Sequence, residues 1–495
     1  MYDLIIIGGG INGAGLARDA AGRGLKVLLC EKDDLAAHTS SSSSKLIHGG
    51  LRYLEHYEFR LVAEALSERE TLLGIAPHII WPLEFVMPHV PELRPAWMIR
   101  AGLLLYDHLG KREKLPRSRG VSLGGKGYGE NIRADIRRGF VYSDCWVDDA
   151  RLVVINARSA ADLGAVIQTR TACIGGRRSA DKWEIDLKDS GGNVTTVETK
   201  GVVNAAGPWV KALLDGELHQ KTKANIKQIK GSHIVVARQF PGAHAFILQN
   251  DDKRIVFMIP YEHDFTLIGT TDVEVDDQPG GSTITPMEID YLCRAANRYL
   301  AKPIAPSDVV WSYSGVRPLY DDGEADPSAI TRDYTLVLDV AFPHAPLLSV
   351  FGGKITTYRR LAESVMDKLR PSFPFMKASW TGTNPLPGGD IANADFEGFV
   401  RELLTRYPEI AADYLRALAR RHGSRVAQVL GDARKMDDLG GAFGDTLYGC
   451  EIDYLRDNEW ALTADDILWR RTKCGLHLTQ DQRDGVVAYL ARGTC

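Results

Sequence analysis

The chain has 495 residues, of which 44% are hydrophobic and 25% charged, a composition ordinary for a globular protein of more than one domain. A formal net charge of −4 gives no reason to expect nucleic-acid binding. The seven cysteines are scattered without a CxxC pair, which argues against a disulfide framework and against a metal or iron–sulfur site. The same cysteine pattern favours a reducing cytoplasmic setting. The first predicted strand begins almost at Met1, so no signal peptide is expected, and no segment has the ~18 uninterrupted apolar residues of a membrane-spanning helix.

The N-terminal residues predict a dinucleotide-binding turn. YDLIII (2–7) is a short apolar run typical of a buried parallel strand, and a glycine-rich segment after it opens a helix. A GxGxxG pattern lies between the two at Gly8, Gly10 and Gly13, with Asn12 inside it. Such glycines allow the tight turn, the approach of a pyrophosphate to the backbone, and close helix–strand packing. The free N–H groups at the start of the helix then favour phosphate binding.

An acidic residue follows at the expected distance. KVLLCEK (26–32) predicts a second apolar strand, and Glu31 near its end can accept hydrogen bonds from the adenosine ribose hydroxyls. An acid there favours a free 2′-hydroxyl, and therefore NAD or FAD over NADP.

The middle of the chain predicts further elements in order. Residues 60–75 carry helical periodicity, and residues 183–207 predict a hairpin followed by a separate buried strand. Alternating segments between 226 and 275 predict an antiparallel sheet. Residues 347–369 predict a strand, a glycine turn and an amphipathic helix. A linker rich in proline and glycine (379–390) then precedes a charged, almost wholly helical region from 395 to 495.

Two later glycine turns favour FAD over NAD. NAAGPW (204–209) ends a buried strand with small residues, and FGGKITTYR (351–359) places Gly352 and Gly353 at another strand-to-helix turn. A helix beginning there would face the pyrimidine edge of a flavin, where negative charge accumulates on reduction. Three such turns across the first 370 residues fit an extended FAD, held by a discontinuous domain with a substrate sheet inserted between its parts.

Several motifs together resemble one family. They are KLIHGGLRYLEHYEFRLVAEAL (45–66), YSDCWVDDARLV (142–153), IKGSHIVV (229–236), GTTDVE (269–274), YSGVRPL (313–319), FGGKITTYR and DDILWRRTKCGL (465–476). In extent and order they are similar to the FAD-dependent aerobic glycerol-3-phosphate dehydrogenases of bacteria. The resemblance implies an α/β (α+β) fold: a glutathione-reductase-like FAD domain with a mostly parallel sheet, an antiparallel-sheet substrate domain, and a helical C-terminal domain.

The resemblance also implies domain bounds and partners. We expect the FAD domain at residues 1–80, 140–215 and 331–378, the substrate-binding and membrane-facing portions at 81–139 and 216–330, and the helical domain at 379–495. The family implies a homodimer on the cytoplasmic face of the membrane that passes electrons to ubiquinone or menaquinone.

The resemblance, and not the composition, places the serine-rich stretch HTSSSSSKLIHGGLRYL (38–54) along the flavin. A serine run alone would indicate a linker. Here the hydroxyls and backbone N–H groups would bind pyrophosphate and ribitol, and the two glycines would let the chain pass close to the ring. The implied cofactor residues beyond the first turn are Thr39, Ser40, Ser43, Ser44, Lys45, Leu46, His48, Gly49, Gly50, Ala206, Gly207, Trp209, Gly352, Gly353, Lys354 and Thr356.

Glycerol 3-phosphate is a small dianion, so its site needs clustered cations. The matched motifs offer Arg52, Arg317, Arg332 and Lys354, with Tyr53 to orient the substrate by its hydroxyl. Hydride transfer from C2 to the flavin also needs a base for the hydroxyl proton, and a histidine suits that role near neutral pH. His48 and His233 are the candidates; strand alternation places His233 opposite its neighbours in a strand of the substrate sheet, and we favour it.

Two alternatives remain from the residues. The scaffold could be an oxidase that uses oxygen, or a non-catalytic FAD-binding sensor, which would not need the cation and histidine cluster. Residues 89–119 mix an apolar helical stretch with seven basic residues, which fits either an ordinary core helix or a helix lying in anionic lipid headgroups.

Overall fold

The computed structural model of the chain describes residues 1–110, 112–222, 224–275, 280–321, 333–340, 344–444 and 446–492. Its strands, in chain order, are β1 (Tyr2–Ile7), β2 (Val27–Cys30), β3 (Leu46–Ile47), β4 (Ile80–Pro88), β5 (Arg119–Ser122), β6 (Arg138–Val147), β7 (Val166–Gln168), β8 (Thr171–Arg178), β9 (Trp183–Asp189), β10 (Val194–Asn204), β11 (Ile226–Ala237), β12 (Ala245–Gln249), β13 (Ile255–Tyr261), β14 (Phe265–Gly269), β15 (Val273–Glu274), β16 (Val309–Tyr320), β17 (Thr335–Asp339), β18 (Leu347–Phe351), β19 (Ala442–Gly444) and β20 (Leu447–Tyr448).

Its α-helices are α1 (Ile11–Gly22), α2 (Phe59–Ile75), α3 (Ala96–His108), α4 (Asp149–Asp162), α5 (Val210–Asp215), α6 (Pro286–Asn297), α7 (Tyr358–Leu369), α8 (Phe396–Arg406), α9 (Ala412–His422), α10 (Val426–Leu430), α11 (Gly449–Glu459) and α12 (Gln480–Arg492). A π-helical turn spans Asp466–Arg471, and short 3-10 turns include Thr39–Ser41, Leu51–His56 and Ile355–Thr357.

A mostly parallel sheet forms the first layer. Its strand order is β17-β18-β10-β1-β2-β7, with β17 antiparallel at one edge and β8 and β9 extending as an antiparallel meander from β10. The central strands are apolar on both faces because α1, α4 and α7 cover one side and a cluster around Trp183 covers the other. The carboxyl ends of β1, β10 and β18 therefore meet at one edge of the sheet, where open α/β sheets bind their ligands.

The region from 183 to 207 differs from its prediction. We expected a hairpin and then a separate buried strand, but β10 is one continuous strand. Its first half pairs with β9 and is largely exposed, whereas its second half is buried between β1 and β18. The change from polar to apolar residues marks where the strand enters the sheet interior, not a break in the chain.

The predicted antiparallel sheet between 226 and 275 is confirmed. It belongs to a ten-stranded sheet with the path β15-β11-β14-β13-β12-β4-β6-β3, to which β16 adds beside β11 and β5 beside β6. Among the described strands of this sheet, β4 and β12 pair in parallel and the other neighbours are antiparallel. Helix α6 covers one face, and α2 and α3 cover the other. Strand β6 lies in this second sheet, so the domain boundary that we propose near residue 140 falls at its beginning.

The C-terminal region from α8 onward has its own apolar core, built from residues such as Leu415, Leu418, Ile452 and Leu455. It is helical as predicted, apart from the small β19–β20 ribbon. Buried ion pairs join it to the first layer, including Arg151 of α4 with Glu459 of α11. The fold class predicted from the sequence is confirmed.

Candidate active site

An open groove of about 1150 Å³ runs along the carboxyl edge of the parallel sheet. Predicted cofactor residues that line it are Gly8, Gly10, Asn12, Glu31, Thr39, Ser40, Ala206, Gly207, Trp209, Gly352 and Gly353. The three glycine turns inferred from the sequence thus come together at one long groove. Within the described residues, this lining does not include Gly13, Ser43, Ser44, Lys45, Leu46, His48, Gly49, Gly50, Lys354 or Thr356.

The first glycine turn leaves no room for side chains. Gly8 has φ +115°, and a Cβ on it would lie 2.5 Å from the carbonyl oxygen of Ala205. A Cβ on Gly13 would lie 1.8 Å from the carbonyl oxygen of Gly8, which is why this glycine shapes the turn without lining the groove. At the start of α1 the hydroxyl of Ser40 accepts a hydrogen bond from the Ile11 N–H at 3.0 Å. The turn therefore presents bare backbone and a helix N-terminus to the groove.

Glu31 is held by backbone donors. Its carboxylate accepts hydrogen bonds from the N–H groups of Gly9 at 2.6 Å and Asp33 at 2.9 Å. Burial raises the pKa of this carboxyl, while both backbone donors oppose that rise. The acid is thereby fixed in position at the end of the groove nearest to β2.

The serine run divides between two tasks. Thr39 and Ser40 face the groove, whereas Ser43 donates a hydrogen bond to Asp149 at 2.7 Å and the Lys45 ammonium contacts the same carboxylate at 2.8 Å. Both Lys45 and Asp149 are buried, so this ion pair fixes the backbone of the run against α4. The hydroxyl of Ser44 lies 2.9 Å from Nε2 of His233.

The glycine pair after the serine run is held from beneath by α3. The N–H of Gly49 donates to the hydroxyl of Tyr106 at 2.8 Å, and that hydroxyl contacts the Asp144 carboxylate at 2.8 Å. Asp144 in turn pairs with the buried guanidinium of Arg69 at 2.6 Å. We name Gly49, Tyr106, Asp144 and Arg69 the loop-support network.

Two predicted substrate residues meet beside this loop. The Lys354 ammonium lies 3.8 Å from the centre of the Tyr53 ring, a cation–π contact. A Cβ on Gly50 would lie 2.1 Å from the same ring, so the glycine allows Tyr53 to fold over the chain.

A further predicted substrate cation, Arg317, lies on β16. It pairs with Asp272 and donates to the carbonyl of Thr271 at 3.2 Å, and its side chain is 30% exposed. The next residue, Pro318, lines the groove, as does Gly353, which directly precedes Lys354. Arg52 is half-buried in the turn after Gly50. Arg332 lies outside the described residues.

The two histidines occupy different surroundings. His233 is 3% exposed, stacks on Tyr313 with ring centres 4.8 Å apart, and its Nδ1 has no hydrogen-bond partner among the described residues. Burial, helped by Lys45 and Arg317, lowers its pKa to about 3. His48 is less deeply placed, next to the loop-support network, and burial, Lys354 and Arg69 lower its pKa while Asp144 opposes them. Both rings are therefore neutral near pH 7.

Sequence reasoning missed several groove residues. Lys32, His38, Cys173, Pro208 and Pro318 also line it. His38 packs against Trp209 with ring centres 4.6 Å apart. Local signals existed for four of these residues: Lys32 follows Glu31 directly, His38 begins the serine-rich stretch, Pro208 lies inside NAAGPW and Pro318 lies inside YSGVRPL. Cys173 reaches the groove only through the fold.

The groove fits an FAD on its own features. It is long, it joins a helix N-terminus and an acid to two further glycine turns, and the Asn12 amide donates to the Gly352 carbonyl at 3.1 Å while its Oδ1 lacks a partner among the described residues. Comparison with known families decides the matter, because the model for "FAD dependent oxidoreductase" matches residues 3–359.

The chain belongs to this family of FAD-dependent oxidoreductases. A second model, "C-terminal domain of alpha-glycerophosphate oxidase", matches residues 379–491 of this flavoprotein. Its FAD would be held by the groove residues described above.

Three relatives span almost the whole flavoprotein. An aerobic glycerol-3-phosphate dehydrogenase of Escherichia coli is 52% identical over 99% of this chain and 98% of its own length. A D-erythritol 1-phosphate dehydrogenase of Brucella abortus is 51% identical over 98% of this chain and 97% of its own. The crystal structure of a glycerol-3-phosphate dehydrogenase from Bacillus halodurans complexed with FAD superposes with a TM-score of 0.75 at 26% identity, over 99% of this chain and 94% of that one.

Proposed function

We propose that this protein oxidises sn-glycerol 3-phosphate at C2 to dihydroxyacetone phosphate and passes the electrons to a membrane quinone. The full-length likeness to a glycerol-3-phosphate dehydrogenase is the observation that carries the proposal. Two cations support it, Arg317 and Lys354, which directly adjoin the groove-lining residues Pro318 and Gly353 in sequence, because a phosphate dianion needs cations nearby.

The chain's own residues divide the work. Bound FAD supplies the hydride acceptor. Arg317 and Lys354 bind the substrate phosphate, and Tyr53, held between Gly50 and Lys354, orients the glycerol. A neutral histidine accepts the hydroxyl proton; His48 lies beside Lys354 and is the more accessible, so we place it ahead of His233.

Reduction by substrate tests the function directly. The yellow holoenzyme, kept without oxygen, should be bleached by glycerol 3-phosphate and recoloured by a quinone faster than by oxygen. Faster recolouring by oxygen would favour an oxidase, and no bleaching would indicate a non-catalytic flavoprotein.

The Brucella relative raises a second substrate, a tetritol phosphate with one more hydroxylated carbon. Sites built to bind a substrate hydroxyl reject the analogue that lacks it by as much as ~10⁴-fold. The ratio of kcat/KM for the two phosphates therefore decides between them, and we expect it to favour glycerol 3-phosphate.

The membrane is the proposed source of the quinone, and α3 is its proposed contact. Within the described residues, no helix is both long and apolar enough to cross a bilayer. The inner face of α3 is buried, but Trp97, Met98, Leu104 and Leu105 on its outer face are 40–70% exposed. Such an amphipathic helix with aromatic and basic neighbours lies in the lipid headgroup layer.

The basic fringe is smaller than the sequence indicated. Arg94, Arg112 and Arg119 pair with Glu55, Asp107 and Glu84, so they contribute little net charge. Arg100, Lys114 and Arg117 remain exposed, and Lys111 lies outside the described residues. We therefore propose that apolar insertion contributes more than charge to attachment at the cytoplasmic face of the membrane, as a homodimer.

We predict that Trp97→Glu with Leu104→Glu abolishes flotation with anionic liposomes, because each change removes on the order of 1.5–3 kcal/mol of apolar burial. Val487→Glu in α12 is the control, since Val487 is 55% exposed and Leu104 is 54% exposed. Flotation of the double variant at the wild-type level would exclude α3 as the contact.

A pH profile tests the neutral base. Because burial and Lys354 lower the pKa of His48 from its usual 6.5, the neutral form persists at neutral pH and is lost only as the pH falls through the lowered value. The limiting rate of anaerobic flavin reduction should thus be flat above pH 6.5 and fall below it. Lys354→Ala should move this inflection to higher pH. An inflection at the wild-type pH would show that Lys354 does not lower the pKa of the base.

A further inference from the structure

The loop from Glu31 to His38 is held from outside by the C-terminal domain. Asp34 in this loop is buried, and its carboxylate accepts two hydrogen bonds from Arg471 at 2.6 and 2.9 Å. Arg470 adds a third at 2.7 Å. The arginines lie at the end of the π-helical turn, 437 positions from Asp34 in the case of Arg471.

We infer that Arg471, with Arg470, is a positioning residue for the adenosine half of FAD and acts through Asp34. The C-terminal domain then belongs to the cofactor site although its own arginines do not line the groove. This inference rests on FAD as the cofactor but not on the identity of the substrate.

The loop transmits the position of Asp34 to the groove through short contacts. Asp33 donates its N–H to Glu31, and the N–H of Ala36 donates to the Gly9 carbonyl at 3.2 Å. Glu31, Lys32 and His38 of the same loop line the groove. A displacement of Asp34 would therefore move the acid expected to bind the ribose hydroxyls.

On the side that faces the groove, the loop packs against Trp209. Lys32 lies 4.3 Å from the Trp209 ring, on the same indole that His38 contacts. Both faces of the loop are thus occupied, by Trp209 in the groove and by Arg471 behind it.

The arginines are themselves fixed. Asp466 at the start of the π-helical turn accepts the N–H groups of Leu462 and Thr463 at 2.8 Å and pairs with Arg470. It also accepts from the Arg170 guanidinium at 2.5 Å, and the Arg170 N–H donates to the Asp33 carbonyl at 2.8 Å. The turn and the loop are therefore joined at two separate points.

Displacement of FAD from the holoenzyme tests the inference. ADP probes the adenosine half of the groove and FMN the flavin half, and the released FAD is separated by filtration and quantified by chromatography, because FMN is itself fluorescent. Arg471→Lys keeps the charge but loses the two-point contact with Asp34. We expect it to weaken FAD and ADP binding by ~10- to 100-fold, the loss that second-sphere partners cause at metal sites, with the affinity for FMN unchanged.

Arg425→Lys is the matched control. Arg425 of the C-terminal domain pairs with Asp162 at the end of α4, so it joins the same two parts of the chain through a different ion pair. We expect wild-type FAD and ADP affinity for this variant. Equal losses of ADP and FMN binding in Arg471→Lys, or the same loss of FAD in Arg425→Lys, would overturn the inference, since either means that the contact between the two parts is loosened in general.

A milder variant protects the test against failure to fold. Arg470→Lys removes only the single contact with Asp34, from a side chain 17% exposed. We expect a several-fold loss of ADP affinity alone. Wild-type ADP affinity in both lysine variants would refute the role of the pair.

Discussion

We expect Arg317→Ala to weaken glycerol 3-phosphate binding by on the order of 2–5 kcal/mol, or about 30-fold to several-thousand-fold in apparent affinity. The physical reason is twofold: the phosphate loses a guanidinium, and the Asp272 carboxylate that Arg317 neutralises is left facing it. Lys354→Ala should act in the same direction, because the ammonium lies over the ring of Tyr53, which we propose orients the substrate. The steady-state KM measures the loss of substrate binding, and the FAD content measures any loss of cofactor binding. We expect the FAD content not to change.

The Asp272 carboxylate offers a sharper version of this test. Asp272→Asn in the Arg317→Ala background should recover part of the lost affinity, because it removes the stranded charge. Arg177→Ala is the control, since Arg177 also pairs with an aspartate, Asp186, but on the exposed meander of the first sheet. A wild-type KM in Arg317→Ala and Lys354→Ala would show that the phosphate binds elsewhere.

We expect His48→Asn to slow anaerobic flavin reduction by roughly 10²–10⁴-fold, the usual cost of losing a general base. The side chain lies next to Lys354 and the loop-support network, where the substrate hydroxyl is expected. FAD should remain bound with an unchanged spectrum, which separates loss of the base from loss of the cofactor.

His233→Asn is the decisive comparison. We expect a smaller effect, because His233 is buried against Tyr313 and bonded to Ser44. If its Nε2–H donates to Ser44, its Nδ1 keeps a lone pair and could still accept a proton once the site opens. If only His233→Asn slows the reaction, His233 and not His48 is the base. If neither variant slows it, water or another group accepts the proton. His244→Asn, in the apolar cluster with Phe240, controls for loss of a buried histidine.

The parts of the fold and site that follow from local patterns were predictable. Each glycine turn follows a buried strand, and the strands lie side by side in a parallel sheet, so Gly8, Ala206 and Gly352 had to meet at one edge. The acid at Glu31 favours NAD or FAD over NADP, and the three glycine turns favour FAD. The roles of the individual site residues remain predictions.

Other contacts have no local signature. Nothing near Asp34 indicates an arginine more than 400 positions away, and nothing in the serine run distinguishes Ser40, which faces the groove, from Ser43, which faces Asp149. Those choices depend on how the 3-10 turn at Thr39–Ser41 rotates successive hydroxyls and on which buried partner the fold brings near. Long-range polar pairing is therefore what sequence patterns left out.

Helix α3 lies between the protein surface and the loop that contains Gly49. Its exposed face carries Trp97 and Leu104, and its buried face carries Tyr106, which holds the Gly49 amide. A helix with its side chains is about 10–12 Å across. If α3 is the membrane contact that we propose, a quinone head group at its outer face would be about one helix diameter from the Gly49 loop, which we expect beside the flavin. Electrons would then reach a lipid-dissolved acceptor without movement of a whole domain between water and bilayer.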